Sequence, residues 1–596
     1  MHDDKYFIYF ASLTDKNRTK RMRYFRTIFS MLVLLVLVAC GDQRPVHIKM
    51  VCTSDVHAAY FPYDYRADKP TSGSLARVSS YLKELRSPSA YGDNVIYVDN
   101  GDILHGDPAA YYYNTVAIHP PHVAAEALNY LGCEAAVLGN HDIETGGPTY
   151  QRYVRNTECT VLGGNIYMEE SEIAFLPPYT MIERGGVRIA VMGLTTPVVP
   201  EWLPRTLWQG LEFRDMESSA RYWMEYLQKK EMPDLVIGLF HSGLDGGIVT
   251  AEYAENATRA VAEKVPGFDA IFYGHEHQAA CDKVVNVEGD TVLLINPSSK
   301  ANKVATLDIQ YIKGDEPQIT LAAELVDMSG YEPDEAYMAH FAPHANKVKE
   351  YVNKKVGTLA QGIDSREAYF GPSAFVDFLH RMQLDITSAE VSFAAPLEYD
   401  LSMPAGDVYV RDMFSLYRYE NMLYVMMLTG QEIKDYLEMS YDQWVSTMKS
   451  ANDHLLLFAE GDDPRLRNAY YDFDSAAGIL YEVDVTKPAG HRVSIKGMAD
   501  GRAFDLNRSY RVALNSYRGN GGGGLITQGA GIPKENLESR LLTSTDIDLR
   551  FYMLNYIEMR EIVEPKALNH WRFVPERWAA SAAERDYKLL FGDRTK

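Results

Sequence analysis

Positive charge is scarce in this chain of 596 residues. Lys and Arg number 59 against 81 Asp and Glu, a formal net charge of −22. That balance argues against a nucleic-acid polymer as partner, because polymers need a basic track that releases counterions. Single nucleotides are not excluded, since a metal ion can supply positive charge locally. Cysteine is scarce too, at five. Cys52, Cys133, Cys159 and Cys281 all lie in the first half, at spacings that match no zinc motif and leave their pairing open. Buried free thiols are the expectation. Beyond one short N-terminal apolar run there is no candidate membrane span, no low-complexity tract and no short repeat. What is present is ordinary globular composition, 46% hydrophobic and 23% charged. A chain this long is too large for one core and implies at least two domains. Tyrosine is abundant, at 41, and only a few of these can be stacking platforms rather than core.

Five short stretches rich in Asp, Asn or His fall in order along the first half. They are Asp55-Val56-His57, Asp99-Asn100-Gly101-Asp102, Gly139-Asn140-His141-Asp142, His241 and Gly274-His275-Glu276-His277. Each follows an apolar, strand-like run, at 47–52, 94–98, 135–138, 235–240 and 270–273. Ligands at strand ends converge on one edge of a sheet, where loops leave room for a substrate. Carboxylate, amide oxygen and imidazole suit hard or borderline divalent cations better than thiolate would. In a two-metal site one carboxylate bridges the ions, and Asp102 is the natural bridge because Gly101 lets the backbone turn tightly beside it. One ion then takes Asp55, His57 and His277, and the other takes Asn140, His241 and His275. His141 is left free to stabilise charge on a phosphoryl oxygen or leaving group. This ordered set resembles the calcineurin-like metallophosphoesterase superfamily, whose pattern is D-x-H, G-D, G-N-H-[DE], H and G-H-x-H. The resemblance implies an α/β fold, a four-layer sandwich with helices flanking two β-sheets over residues 46–325. It also implies phosphoester hydrolysis with two divalent metal ions, Mn, Zn, Mg or Co.

Helical stretches at 75–86, 123–131 and 218–229 alternate with the strands, as α/β layering requires. Gly185-Gly186 reads as a hairpin turn before a strand at 187–194. A charge-mixed helical stretch at 333–356 reads as a connector, after which the metal-ligand types stop. The second half has different signals. A strand at 512–514 feeds Asn515-Ser516-Tyr517-Arg518-Gly519-Asn520 and then four glycines, 521–524, a loop suited to close approach by a ligand. Tyr419 and Tyr517, in separate loops, could clamp a base, each stack contributing on the order of 1–3 kcal/mol.

The second half resembles the 5′-nucleotidase C-terminal domain. The resembling segments include Ser392-Phe393-Ala394-Ala395-Pro396, Tyr417-Arg418-Tyr419-Glu420-Asn421 and Asn515-Ser516-Tyr517-Arg518. This implies a separate α+β nucleotide-recognition domain over 357–590, with Tyr419, Asn421, Asn515, Tyr517 and Arg518 contacting substrate. Within that family the match is closer to the 2′,3′-cyclic-nucleotide 2′-phosphodiesterase/3′-nucleotidase branch. Two departures stand out. Ala394-Ala395-Pro396-Leu397-Glu398 replaces the Gly-Gly-x-Arg of the 5′-nucleotidase branch, and Leu397-Glu398 also departs from the Phe-Lys of the cyclic branch. Where the family has a carboxylate shortly after Gly-Asn-His, this chain has Glu144, which could orient His141 and raise its pKa. The expected activity is release of nucleoside and phosphate from 2′,3′-cyclic or 3′-nucleotides. The alternatives are a 5′-nucleotidase or nucleotide-sugar hydrolase, and a surface lipoprotein that binds nucleotides without turnover. Joining base to phosphate would require the domains to close about a hinge near the connector.

The N-terminus reads as an address. Lys20, Arg21, Arg23 and Arg26 precede an apolar run at 28–39, too short for a confident span. It ends Leu37-Val38-Ala39-Cys40-Gly41, which resembles the bacterial lipobox, where cleavage leaves Cys40 for lipid attachment. Residues 1–40 are then a leader, with 1–21 superfluous ahead of Met22. This implies an exported bacterial lipoprotein, membrane-anchored by its lipid, in the periplasm or on the cell surface. The oligomeric state is left open, with a monomer the expectation.

Overall fold

The structure is a computed structural model that describes residues 45–314, 317–461 and 464–592. The leader and Cys40 lie outside the described residues. The first domain is a sandwich of two six-stranded sheets. In the first sheet, Val46–Thr53, Val95–Asp99, Cys133–Val137 and Thr160–Leu162 run parallel; at one edge Lys303–Ile312 pairs antiparallel with Val46–Thr53, and Gln318–Asp327 pairs antiparallel with Lys303–Ile312. In the second, Val187–Thr195, Leu235–His241, Ala270–Tyr273 and Thr291–Pro297 are parallel, with antiparallel strands Tyr179–Arg184 and Ala279–Val285 at the edges.

The parallel strands read as continuous apolar runs because both faces are covered. Met50, Val98 and Val137 of one sheet meet Val191, Ile237 and Phe272 of the other in a single buried layer. Helices Leu75–Leu85 and Val123–Leu131 cover the first sheet, and Met216–Tyr226 and Thr258–Lys264 cover the second. Gly185 and Gly186 both take positive φ, 57° and 80°, and make the two-residue turn between Tyr179–Arg184 and Val187–Thr195.

The stretch read as a connector is a helix, Glu335–Val352, and it belongs to the first core. Asp334 caps it, and Tyr337, Phe341, Val348 and Val352 are buried against the helices covering the first sheet. Four buried apolar residues hold it there, so the chain crosses to the second domain only at 353–354, ahead of the strand Lys355–Leu359.

The second domain is built on a five-stranded sheet, in the order Ser475–Ala477, Val391–Ala394, Ser509–Asn515, Leu423–Thr429 and Leu541–Ser544. Helix Gly430–Trp444 starts from a Thr429/Glu432 capping box. It ends on buried Trp444, whose ring stacks on both Tyr441 and Phe473. The two domains touch through Tyr111, a first-domain residue buried in the second domain's core. Its hydroxyl donates to Asp548 Oδ2 at 3.0 Å, and the Arg550 guanidinium lies 5.0 Å from its ring centroid.

Candidate metal centre and interdomain cavity

The Asp, Asn and His stretches leave the carboxyl ends of adjacent parallel strands in both sheets, the edge where an α/β fold places its ligands. Asp55, His57, Asp102, His275 and His277 all take positive φ, between 46° and 73°. Side chains rarely adopt that backbone, and its persistence at five such positions marks a functional site. Glycines make room for it. A Cβ on Gly101 would stand 2.7 Å from Gly139 N, and one on Gly274 would stand 2.6 Å from Asp55 Oδ2.

Two clusters of donors result. His57 Nε2 and His277 Nε2 point at one another 2.8 Å apart, and His277 Nε2 lies 3.3 Å from buried Asp55 Oδ1. Burial lowers His57 to about 3, so its ring is neutral and its lone pair available. In the second cluster His241 gives its Nδ1–H to Asn100 O at 2.7 Å. Its Nε2 therefore faces two oxygens, Asn140 Oδ1 and Asp102 Oδ2, each at 3.1 Å. Burial opposes ionisation of Asp102, yet His241 and His141 hold its carboxyl well below the usual range. Asp102 Oδ1 accepts from His141 N at 2.9 Å, while Oδ2 is buried without a hydrogen-bond partner. Burial opposes the charge of His241, but Asp102 raises it to about 10, so a bound cation would take the place of its Nε2 proton. An imidazole nitrogen opposite two acceptor oxygens, one of them orphaned, is a donor set that fits divalent cations.

His275 stands differently. Its Nε2 is taken by Glu255 Oε1 at 3.1 Å, which leaves Nδ1 as the atom able to face the centre beside His241. His141 lies beside the clusters, with Nδ1 2.5 Å from Glu144 Oε2. Burial opposes its charge, but Asp102 and Glu144 raise it to about 9.

Several residues that matter here are invisible as motifs. Asp142 is fully buried and accepts from the backbone N–H groups of Asp102, Ile103, Leu104 and Gly139 at 2.8 to 2.9 Å, so it holds the Asp102 loop in shape. Asn100 ties the two sheets by donating to Phe240 O at 2.9 Å. His105 stacks on His141 with ring centroids 4.7 Å apart. Asp142 and Asn100 sit inside the quoted stretches, so only their partners were hidden.

A cavity of about 310 Å³ opens between the domains. The first domain contributes Asn140, His141, Glu144, Trp202, Leu203, Pro204, Leu207 and His275. The second contributes Leu397, Tyr419, Glu420, Asn421, Tyr471, Asn515, Ser516 and Tyr517. Tyr419, Asn421, Asn515 and Tyr517 are thus brought to the same space as the metal-side residues. Tyr471, 6.4 Å from Tyr419 ring to ring, joins them from a segment without a sequence signal.

Arg518 does not line the cavity, which corrects its expected role as a substrate contact. It is 2% exposed, and its guanidinium is engaged by Asp472 Oδ1 at 2.8 Å, Asp474 Oδ1 at 3.2 Å and Gly522 O at 3.0 Å. The glycine run is corrected with it. A Cβ on Gly522 would stand 2.6 Å from Tyr517 Cζ, and one on Gly523 would stand 2.5 Å from Asp472 Oδ1. The glycines seat Tyr517 and Arg518 rather than opening the backbone to a ligand.

Residues 48–279 match the calcineurin-like phosphoesterase family, and residues 355–529 match the 5′-nucleotidase C-terminal domain. Over 89% of its length the chain is 26% identical to the trifunctional nucleotide phosphoesterase protein YfkN of Bacillus subtilis, of which it spans 39%. It is 25% identical to the 2′,3′-cyclic-nucleotide 2′-phosphodiesterase/3′-nucleotidase of Haemophilus influenzae, over 89% of this chain and 88% of that protein. Among solved structures, a candidate 5′-nucleotidase from Staphylococcus aureus matches with a TM-score of 0.71 at 21% identity, over 88% of this chain and 99% of that one. That last likeness speaks for the fold alone.

Proposed function

We propose that this chain, a calcineurin-like phosphoesterase domain joined to a 5′-nucleotidase C-terminal domain, is a metal-dependent nucleotidase acting on 2′,3′-cyclic and 3′-nucleotides. The observation that carries it is the shared cavity, where Asn140, His141 and His275 face Tyr419, Asn421, Asn515 and Tyr517. A molecule with a phosphoryl group at one end and a base at the other fits that arrangement.

Asp55, His57 and His277 would hold one ion, Asn140, His241 and His275 the other, with Asp102 between them. When bound, two divalent ions polarise the phosphoryl oxygens and acidify the attacking water. The chain's own residues do the rest. His141, kept protonated by Glu144 and Asp102, offers a positive N–H to the phosphoryl oxygens or leaving group. Tyr419 and Tyr517 hold the base, and Asn421 and Asn515 offer amides to it or to the ribose. Trp202, Leu203 and Leu207 keep water from the apolar side.

Against the nucleotide-sugar alternative stands the charge of the wall. Among the described residues lining the cavity there is no Lys or Arg, while Glu144 and Glu420 bring two carboxylates. With His141 given to the first phosphoryl group, a second phosphate, as in a nucleotide sugar, would meet no Lys or Arg there. Turnover of 2′,3′-cyclic AMP, 3′-AMP, 5′-AMP and UDP-glucose with Mn²⁺ tests this directly. Faster hydrolysis of the first two supports the proposal, and preference for either of the others overturns it. For location, we propose lipid anchoring at Cys40 outside the cytoplasm. Cys40→Ser should move the protein from the membrane to a soluble fraction, and retention in the membrane would refute the anchor.

A further inference from the structure

One carboxylate of the cavity wall has no part in the chemistry above. Glu420 follows Tyr419 in the chain, and both line the cavity. Its Oε1 lies 3.7 Å from His105 Nε2, and the His105 ring lies over that of His141 with centroids 4.7 Å apart. Glu420 therefore stands between the residue assigned to the base and the residue assigned to the phosphoryl group, where a bound nucleotide carries its ribose. Arg550 holds it there from behind. Arg550 Nη1 donates to the same Oε1 at 3.4 Å, while Nε donates to Tyr417 O at 3.1 Å and Nη2 to Arg418 O at 2.9 Å. The guanidinium lies 4.2 Å from the Phe414 ring centroid, on a side chain that is 4% exposed and does not line the cavity. Both contacts fall on Oε1, which leaves Oε2 to the cavity. Pairing with Arg550 accounts for one oxygen, but not for the place of the carboxylate in the cavity wall.

We propose that Glu420 sets the substrate class: it accepts a hydrogen bond from a ribose hydroxyl and excludes nucleotides that carry a second phosphate. A carboxylate paired with a guanidinium can only accept hydrogen bonds, so a hydroxyl suits it and a phosphate oxygen, itself an acceptor, does not. A phosphate monoester there would bring roughly two negative charges. They would lie nearer to Oε2 than to the guanidinium behind it, and because Coulomb energy falls with distance the nearer charge decides. The free ribose hydroxyl that 2′,3′-cyclic and 3′-nucleotides share is the 5′-hydroxyl, so that is the one Glu420 reads. This last step rests on the reaction proposed above, whereas exclusion of a second phosphate needs only a nucleotide in the cavity.

Adenosine 3′,5′-bisphosphate tests this, because it carries a second phosphate whichever one sits on the metal side. Its kcat/KM with Mn²⁺ is compared with that of the better substrate of 3′-AMP and 5′-AMP. The wild type should take the bisphosphate about a hundredfold less well, the scale of a like-charge contact. Glu420→Gln keeps an acceptor oxygen but loses the charge. It should lose up to about tenfold on the monophosphate and gain about tenfold or more on the bisphosphate. Glu420→Asp keeps the charge and should retain the wild-type preference. A merely structural role for Glu420 would lower both substrates together in the Gln variant, and that result would overturn the proposal. A wild type that takes the bisphosphate as readily as the monophosphate would overturn it without any variant. Preference for 5′-AMP over 3′-AMP would defeat the proposed reaction and the 5′-hydroxyl contact, while the same ratios still decided the exclusion. If none of the three is hydrolysed, calorimetric titration of the full chain with the same compounds makes the comparison by affinity, with the same outcomes.

Discussion

The two walls of the cavity are built by opposite means. On the metal side, strained backbone is borne by the functional residues themselves: Asp55, His57, Asp102, His275 and His277 take positive φ. On the recognition side, positive φ falls on Gly521, Gly523 and Gly524, while Tyr517 beside them sits on an ordinary helical turn. The difference follows from what each wall must offer. A ligand position needs a side chain where the backbone turns most sharply, so glycine cannot relieve it, and surrounding contacts must hold the strain. The four backbone N–H groups gathered by Asp142 are such contacts. A stacking ring needs only a surface to lie on, and Gly522 provides one. Substitutions in the first wall should therefore strike chemistry, and those in the second should strike either the fold or affinity.

The largest effect should come from Asp102→Ala, which removes the carboxylate that both His241 and His141 act on. Turnover should fall by roughly a thousandfold or more, with fewer ions bound per chain. Substantial activity after that change would break the comparison at its root. Next is Arg518→Met in the other wall. It leaves Asp474 buried and uncompensated, so the second domain should lose about 3–5 kcal/mol in denaturant unfolding. Unchanged stability would mean that Asp474 finds another partner. Third are Tyr419→Ala and Tyr517→Ala, each expected to raise KM for a nucleotide by about tenfold. Hydrolysis of bis-p-nitrophenyl phosphate, which has no base, should change little. Equal loss on both substrates would show that the rings serve the core instead of the ligand.

The contrast also explains what the sequence made legible. Ligand types at strand ends are constrained by metal chemistry, and each expected strand of the first half lies within two residues of its observed position. The hairpin at Gly185-Gly186 was legible because both positions need φ that only glycine adopts freely. Arg518 was misread because its partners, Asp472 and Asp474, lie more than forty residues away and carry no motif. Trp202 and Tyr471 reach the cavity through tertiary packing alone. The helix Glu335–Val352 looked like a linker because its four core contacts are spread over 16 residues, from 337 to 352, among residues of mixed charge.

The smallest effect should come from two neutral histidines away from the metal clusters, one buried in each domain. His122 caps helix Val123–Leu131, accepting from Ala124 N at 3.1 Å, with Nε2 2.9 Å from Asn114 Oδ1. His380 lies between Ser392 Oγ at 3.0 Å and Ser475 Oγ at 3.1 Å. Burial lowers each to about 3. The unfolded chain takes up these protons near the ordinary histidine value of about 6.5, while the folded chain does not. Their contribution is therefore fully present above that value and is lost as pH falls from it towards about 3. Between pH 7 and 6 each should cost under about 1 kcal/mol, measured on metal-free protein so that ligand protonation does not intrude. His380→Gln should remove its share of that slope from the second domain's unfolding transition, where His570 is also lowered by burial, and leave the first domain's unchanged. A slope undiminished in the variant would mean that His380 is charged in the folded state.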